Sequence, residues 1–209
     1  MEDNTATKAF FIEAYFRDLE RRVAFLNELY ETGHRNEALL LCCCYIEALG
    51  SRQSSKPERK AKSYCSILVQ HGGNEIWQMI HPKQIKSVLS TNKLFEDSFH
   101  IVEPRIDTFG TQLISPQELS VLLDSSLDEQ QRKWLQDNMY KGSIANISYE
   151  GIRSELVHDI SASDISFGET QYQGSPLPNL NFELLYPSLQ KIAADLRNIA
   201  ESSGKWWWE

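Results

Sequence analysis

The chain has 209 residues, of which 41% are hydrophobic and 24% charged, and its formal net charge is -8. This composition is typical of a globular protein and excludes global disorder, while the acidic balance excludes the uniformly basic surface common in nucleic-acid-binding proteins. No apolar run reaches the roughly 20 residues of a membrane-spanning helix. The N-terminus lacks the basic start of a secretion signal, so we expect a cytoplasmic protein without a membrane partner.

Three helices are predicted in the first third of the chain. Apolar residues recur every three or four positions from about residue 6 to 31, which indicates a long amphipathic helix that ends at Gly33. The segment from about residue 36 to 49 is apolar nearly all round and should form a central, buried helix. A third helix should begin near Pro57, since proline suits a first helical turn, and run to about His71.

The middle of the chain, about residues 74 to 125, is less regular and is predicted to be an insertion on the helical core. Short helices are expected in NEIWQMI, PKQIKSVLS and SPQELSVLLDSS. The last of these places Ser115, Pro116 and Glu118 in the positions of a capped N-terminus. The segment HIVEPRIDTFGTQL combines β-branched residues with Pro and Gly and predicts a loop or a short extended piece.

The remaining part of the chain is again helical. DEQQRKWLQDNMY and SYEGIRSELVHD each predict a helix, and ISFGETQYQGSPLPN predicts a small hairpin or an ordered loop. A strong final helix follows from about residue 182 to 202. Several substantial helices with almost no sheet indicate one all-α domain over residues 1 to 209, a helical bundle with an irregular central insertion.

Three of the four cysteines are consecutive, Cys42 to Cys44, within the apolar second helix. Neighbours on one helix point in different directions, so we expect reduced cysteines that fill the core. The alternative is a zinc site that combines Cys42 or Cys43 with Cys65 and a histidine, but the chain has no CxxC spacing. We therefore predict no metal and no other cofactor.

One basic cluster interrupts the acidic sequence. The string KPERKAK places Lys56, Arg59, Lys60 and Lys62 beside a single Glu58. The simpler interpretation is a solvated loop and helix start. The alternative is a patch that binds an anion such as an RNA phosphate.

Arg153 and His158 are the candidate catalytic residues. They lie five residues apart in GIRSELVHDI, about 140° around an ideal helix, so they converge on one anion only if the helix ends near His158 or a second copy completes the site. A guanidinium binds phosphate through paired N–H groups and stays charged, whereas an imidazole titrates near neutral pH. Together they suit cleavage of an RNA phosphodiester by its own 2'-hydroxyl, which needs no metal. The simpler interpretation is a surface Arg and a His that ends a helix.

The string RSELVH, residues 153 to 158, resembles the Rx4-6H motif of the HEPN superfamily. The motif precedes the last helix and follows a buried helix containing LLLCCCYIEALGSR, and the similarity covers roughly residues 6 to 70 and 127 to 203. The resemblance implies an up-and-down bundle that dimerises and unites two motifs in one cleft. It also implies a metal-independent endoribonuclease of toxin and antitoxin, antiviral defence or stress systems. The implied partners are RNA, a second copy of the chain and a regulatory or antitoxin protein.

Matched position by position, the resemblance assigns Arg153 to grip the scissile phosphate and His158 to act as general acid or base. Ser154 stands where active members usually carry Asn, Asp or His. This departure leaves two alternatives to a nuclease: a noncatalytic nucleotide-binding or protein-interaction module of the same fold, or a helical adaptor unrelated to the family.

Two further residues are candidates for the same cleft. Glu47 resembles the acidic residue that family members place in the second helix facing the motif, although it also suits a thin polar strip of that helix. Because an isolated buried carboxylate is costly, Arg153 or Arg52 is its expected partner. Tyr149 would line the cleft or act as a packing residue.

The chain ends with three consecutive tryptophans, Trp206 to Trp208, just before Glu209. An exposed aromatic tail can bind a partner or stack on bases, and it can equally fold back on the body of the protein. His71 and His81 lie at predicted helix ends, where capping is the simplest account.

Overall fold

The computed structural model describes residues 2–53, 60–154, 156 and 165–209. Within these ranges the protein is all-α, as the sequence predicts, and its helices form bundles with very little sheet. The α-helices are α1 (Glu2–Glu31), α2 (Arg35–Gln53), α3 (Lys60–His71), α4 (Pro82–Ser90), α5 (Phe99–Asp107), α6 (Pro116–Asp124), α7 (Glu129–Asn138), α8 (Ile144–Ser148) and α9 (Phe182–Ser203). No helix in these ranges is both long enough and apolar enough to cross a membrane.

Shorter elements complete the described chain. Three 3-10 helices cover Glu75–Gln78, Lys93–Phe95 and Met139–Gly142, and one π-helix covers Tyr149–Ser154. Strands β1 (Gln171–Tyr172) and β2 (Ser175–Pro176) pair as an antiparallel hairpin. Gln173 and Gly174 both have positive φ, as a tight two-residue hairpin turn requires, so the small hairpin is confirmed.

The chain divides into two compact units. The first comprises Met1–Asn74, Tyr149–Ile165 and Leu180–Glu209, and the second comprises Glu75–Ser148 and Ser166–Asn179. The second unit contains nearly all of the segment predicted to be an insertion, residues 74 to 125. It also includes residues 126 to 148 and 166 to 179, which the prediction left out of the insertion. A single domain with an insertion stays a prediction.

The first unit is a bundle of α1, α2, α3 and α9. Helix α2 contacts the other three helices and the π-helix, which confirms its central, buried position. Tyr30 of α1 stacks on Phe182 at the start of α9, and Arg197 near the other end of α9 pairs with Glu20, so these two helices run antiparallel. The spacing of three or four residues predicted for the apolar face of α1 is confirmed, but Phe11, expected on that face, is 57% exposed. The buried residues of α1 are Ile12, Phe16, Leu19, Val23 and Leu26.

Helix α2 does not end at Leu49. It continues through Gly50 to Gln53. The absence of a side chain at Gly50 lets α3 approach α2 closely at this point. A Cβ atom added at Gly50 would lie 2.5 Å from the carbonyl oxygen of Ser63 on α3. The glycine that resembles a helix stop in the sequence is therefore a helix packing position.

The second unit surrounds its own apolar core, which draws on α4 to α7 and the segments between them. Its fully or nearly fully buried members are Ile80, Ile85, Leu89, Phe95, Val102, Ile106, Ile114, Leu119, Leu123, Leu127 and Leu135. Helix α6 has the predicted cap: the Ser115 hydroxyl accepts from the backbone N–H of Glu118, and the Glu118 carboxylate accepts from the N–H of Ser115.

The prediction of a loop or extended piece in HIVEPRIDTFGTQL was wrong. Phe99–Asp107 is helix α5, and Pro104 lies inside it. Proline in a helix interior removes a hydrogen bond and is unfavourable. Here Val102 and Ile106, four residues apart, are both fully buried in the core of the second unit, and this burial outweighs the local cost.

Candidate functional site

The structure describes most but not all of the predicted site. Arg153, Ser154, Tyr149, Glu47, Lys60 and Lys62 lie within the described residues, whereas His158, Lys56 and Arg59 lie outside them. The structure therefore defines the arginine side of the predicted Arg153 and His158 pair.

Arg153 projects from the π-helix Tyr149–Ser154, not from an α-helix as predicted. A π-helix makes i to i+5 hydrogen bonds, is wider than an α-helix, and often occurs at functional sites. Gly151 in this turn has a packing role, because a Cβ atom there would lie 2.5 Å from Cδ1 of Ile165. Ile165 in turn exchanges backbone hydrogen bonds of 3.1 and 2.9 Å with Leu180. The absence of a side chain at Gly151 thus lets the hydrogen-bonded pair of Ile165 and Leu180 pack against the π-helix.

Glu47 and Arg153 form an ion pair between α2 and the π-helix. Arg153 Nε lies 2.8 Å from Glu47 Oε2, and the two side chains are only 19% and 11% exposed. Neither atom makes a hydrogen bond of good geometry despite the short distance, so the contact is a charge pair without an aligned N–H. Lys60 Nζ lies 3.6 Å from the other carboxylate oxygen of Glu47. Glu47, Lys60 and Arg153 are called the ion-pair site below.

Two tyrosines support the Arg153 side chain. The guanidinium carbon of Arg153 lies 5.5 Å from the ring centroid of Tyr149, a cation–π distance. The Tyr149 ring packs at 5.3 Å on Tyr64 of α3, and the Tyr64 hydroxyl contacts the Cys43 sulfur of α2 at 3.7 Å. Burial raises the pKa of Tyr149, and the nearby Glu47 carboxylate raises it further, so its hydroxyl stays protonated at neutral pH. Tyr149 is buried, and its ring is both a packing surface and a support for Arg153.

Sequence reasoning missed Tyr64 and Cys43 as parts of this support. Their contact joins positions 21 residues apart and depends on the close approach of α2 and α3 at Gly50. Burial raises the pKa of the Cys43 thiol to about 12, so this cysteine is an inert core group rather than a nucleophile. All four cysteines are free, and three are buried, as the prediction of reduced core residues requires.

The ion-pair site has one more positive than negative group. Lys60 and Arg153 are cations, and within the described parts of the chain Glu47 is the carboxylate that pairs with both. Lys60 is 69% exposed, so one cation of the ion-pair site faces the surface of α3. This arrangement can attract an anion and hold the arginine in place for it. Within the described residues, no three His, Cys, Asp or Glu side chains are grouped to hold a metal ion.

Arg52, the alternative partner for Glu47, lies elsewhere. Its guanidinium carbon is 4.9 Å from the ring centroid of Trp208 and 5.9 Å from that of Tyr15. The tryptophans therefore fold back on α1 and the end of α2, one of the two outcomes expected from the sequence. Trp207 is the most buried of the three and packs on Phe16 with a centroid distance of 5.4 Å.

The chain was compared with protein-family models, with curated proteins and with solved structures, and none of the three comparisons gives a match.

Proposed function

We propose that the protein is a metal-independent endoribonuclease of HEPN type, in which Arg153 binds the scissile phosphate and His158 transfers protons. The observation that favours this function is the ion-pair site, which fixes Arg153 at a π-helix beside a surplus of positive charge. An arginine that is already positioned loses less entropy when it binds a phosphate.

In the proposed reaction, the 2'-hydroxyl of a ribose attacks the adjacent phosphorus atom and the bond to the 5'-oxygen of the next nucleotide breaks. A general base takes the hydroxyl proton and a general acid protonates the leaving oxygen, and His158 fills one of these roles. Arg153 stabilises the negative charge that develops on the phosphoryl oxygens. The products are a 2',3'-cyclic phosphate and a 5'-hydroxyl end.

The guanidinium retains capacity for a phosphate while it contacts Glu47. Arginine has five N–H donors in a planar fork, and the contact with Glu47 involves only Nε. Among the described residues, Arg153 has no other polar contact than Glu47. We propose that the terminal nitrogens face the phosphate and that Glu47 holds the opposite edge of the fork.

Cleavage in EDTA is the direct test. End-labelled RNA is incubated with the protein, and the products are analysed for cyclic phosphate ends. We expect Arg153→Ala and His158→Ala each to lower the cleavage rate about a hundredfold or more, and Arg21→Ala, an exposed arginine of α1 that pairs with Asp18, to leave it unchanged.

A single 2'-deoxy substitution distinguishes the proposed chemistry from contamination by another nuclease. An RNA with one deoxyribose at the mapped cleavage position should resist cleavage at that bond only. Wild-type protein that fails to cleave tRNA, rRNA or mRNA, or products that lack cyclic phosphate, would exclude this function.

The second candidate is a noncatalytic nucleotide-binding or protein-interaction module of the same fold. The buried contact between Glu47 and Arg153 favours it, because the carboxylate already neutralises the charge that a scissile phosphate would meet. Ser154 favours it as well, because active members of the family that the motif resembles usually carry Asn, Asp or His at this position. In this case RNA or nucleotide binding depends on Arg153, but no cleavage products appear and His158→Ala has no effect.

The proposed function requires a homodimer, since two Rx4-6H motifs form one cleft. Sedimentation equilibrium should give about twice the chain mass of 24.1 kDa. A mass equal to one chain at concentrations that support cleavage would contradict the composite cleft.

A further inference from the structure

A cluster of aromatic side chains at the C-terminus forms a second candidate site in the first unit. Trp206 stacks on Trp208 with a centroid distance of 4.8 Å and nearly parallel planes, and its edge contacts Tyr15 at 5.7 Å. Trp207 is buried and anchors the segment against Phe16 of α1. Tyr15, Trp206, Trp207 and Trp208 are called the tryptophan cluster below.

Arg52 adds a cation to the tryptophan cluster. It is exposed, and its guanidinium lies over the rings of Trp208 and Tyr15. No acidic side chain among the described residues pairs with it, in contrast to Arg153. The rings fix the position of this cation without neutralising its charge, so it can still bind an anion.

A surface groove opens beside the cluster. It is lined by Thr7, Lys8, Phe11, Ala14, Tyr15 and Trp206. Phe11 is 57% exposed although it is a large apolar residue, and Trp206 has one face covered by Trp208 and contributes to the groove wall. Lys8 at the rim pairs with Glu209. Tyr15 belongs both to the groove and to the contact with Arg52, which places aromatic surface and positive charge together.

We propose that this groove binds single-stranded nucleic acid, with a base packed against the aromatic wall to which Phe11, Tyr15 and Trp206 contribute and a neighbouring phosphate held by Arg52. Aromatic rings beside arginine or lysine are the usual means by which proteins bind single strands without sequence readout. The site does not depend on cleavage at Arg153, and it supplies a contact that would hold a strand whether or not the chain cuts it.

Charge decides between the ligand classes that stack on aromatic rings. A quaternary ammonium group would be repelled by Arg52, and a neutral apolar ligand would make no use of its charge. A nucleotide provides both a planar ring and a negative charge. A duplex hides the faces of its bases, so a single strand is the form that fits the groove.

The test measures binding of fluorescein-labelled oligo(dT) by anisotropy in low salt and EDTA. A DNA strand lacks the 2'-hydroxyl, so it cannot be consumed by the proposed ribonuclease. We expect Arg52→Ala and Trp206→Ala each to weaken binding about fivefold or more, and Trp206→Phe to retain most of it. Glu209→Gln should strengthen binding, because it frees Lys8 from its carboxylate partner.

Arg35→Ala is the matched control. Arg35 also lies over a tyrosine of α1, at 5.3 Å from the ring of Tyr30, but Tyr30 is 15 residues from Tyr15, about 22 Å along the helix. Its substitution should leave binding within about twofold, and circular dichroism should show that each variant is folded.

Three results would overturn the proposal. The first is equal affinity for oligo(dT) and for a duplex of the same length, which would indicate attraction to phosphate alone. The second is wild-type affinity in both Arg52→Ala and Trp206→Ala, and the third is no binding of any strand by the wild type. The tryptophan cluster would then serve only to hold the C-terminal segment on α1.

Discussion

Arg153 and Arg52 lie in the same compact unit, and the structure holds them by opposite means. Arg153 is mostly buried and faces the Glu47 carboxylate, whereas Arg52 is exposed and lies over aromatic rings. A buried cation needs an opposite charge to offset its lost hydration, while an exposed cation keeps its water and gains only a modest attraction from the rings. Removing the partner should therefore be costly at the ion-pair site and mild at the tryptophan cluster.

The largest expected effect is a loss of stability at the buried ion-pair site. Glu47→Gln leaves Arg153 as an unpaired buried charge, and we expect it to lower the free energy of unfolding by about 3 kcal/mol. Urea denaturation followed by circular dichroism measures this change. The control is Asp18→Asn, which breaks an exposed charge cluster with Arg21 and Arg22 and should change stability little. Equal small losses for both variants would mean that the Glu47 pair is effectively solvated.

A second prediction alters the support of Arg153 without changing any charge. Gly50→Ala would place a Cβ atom 2.5 Å from the Ser63 carbonyl oxygen and force α3 away from α2. We expect a loss of about 2 kcal/mol in the free energy of unfolding. Ser51→Ala, at the next and exposed position of α2, is the control and should be nearly neutral.

Because Tyr64 follows Ser63 and supports Tyr149, Gly50→Ala should also weaken any ligand binding that depends on Arg153. Oligo(dT) binding at the groove should change less. Equal loss at both sites would show that the variant disturbs the whole bundle rather than the support of Arg153.

A third prediction tests the exposed side. Arg52→Ala removes a cation over two rings, and we expect a loss of only about 0.5 to 1 kcal/mol in stability. Arg35→Ala, which removes the similar contact with Tyr30, should cost about as much. Thermal unfolding of the two variants gives the comparison. A loss at Arg52 as large as that of Glu47→Gln would remove the distinction between the two sites.

The smallest expected effect is a pH dependence of stability that arises from His71 of α3. His71 contacts Gln53, the residue after Arg52, and burial lowers its pKa while the nearby Asp195 carboxylate raises it. Because the net shift is downward, the folded protein prefers the neutral imidazole. The stabilisation is present above the pKa of the unfolded histidine, about 6.5, and is lost as pH falls below it.

His71→Gln should remove this part of the pH dependence between about pH 7 and 5, measured as the change in urea midpoint with pH. The effect should be small because burial and Asp195 oppose one another. A steeper acid destabilisation in the variant than in the wild type would contradict the assigned direction.

The helices with strong periodicity or clear capping residues could be predicted from the sequence, because local chemistry alone determines them. The core spacing of α1 and the capping box of Ser115 and Glu118 are examples. Helix α5 could not, because Pro104 opposes helix locally and only the buried contacts of Val102 and Ile106 compensate for it. The packing role of Gly50 could not be predicted either. Glycine locally favours a helix end, whereas its actual role depends on a carbonyl oxygen of another helix.

The candidate site was predictable in its residues more than in its geometry. The cost of an isolated carboxylate in an apolar helix indicated that Glu47 needs a basic partner, but Arg52 and Arg153 were equivalent choices on charge alone. The structure separates them because α2 turns Glu47 toward the π-helix, while Arg52 meets the folded-back C-terminus. Neither the π-helix nor the contact of Tyr64 with Cys43 has a signature in a single sequence.

The π-helix at Tyr149–Ser154 makes the direction of Arg153 depend on residue count as well as residue type. A wide turn of this kind accommodates an extra residue relative to an α-helix. Losing one residue from the turn would tighten it toward α-helical geometry and change the direction in which its side chains project. The guanidinium would then leave the carboxylate even though every side chain of the pair remained, so length in this segment is as constrained as chemistry.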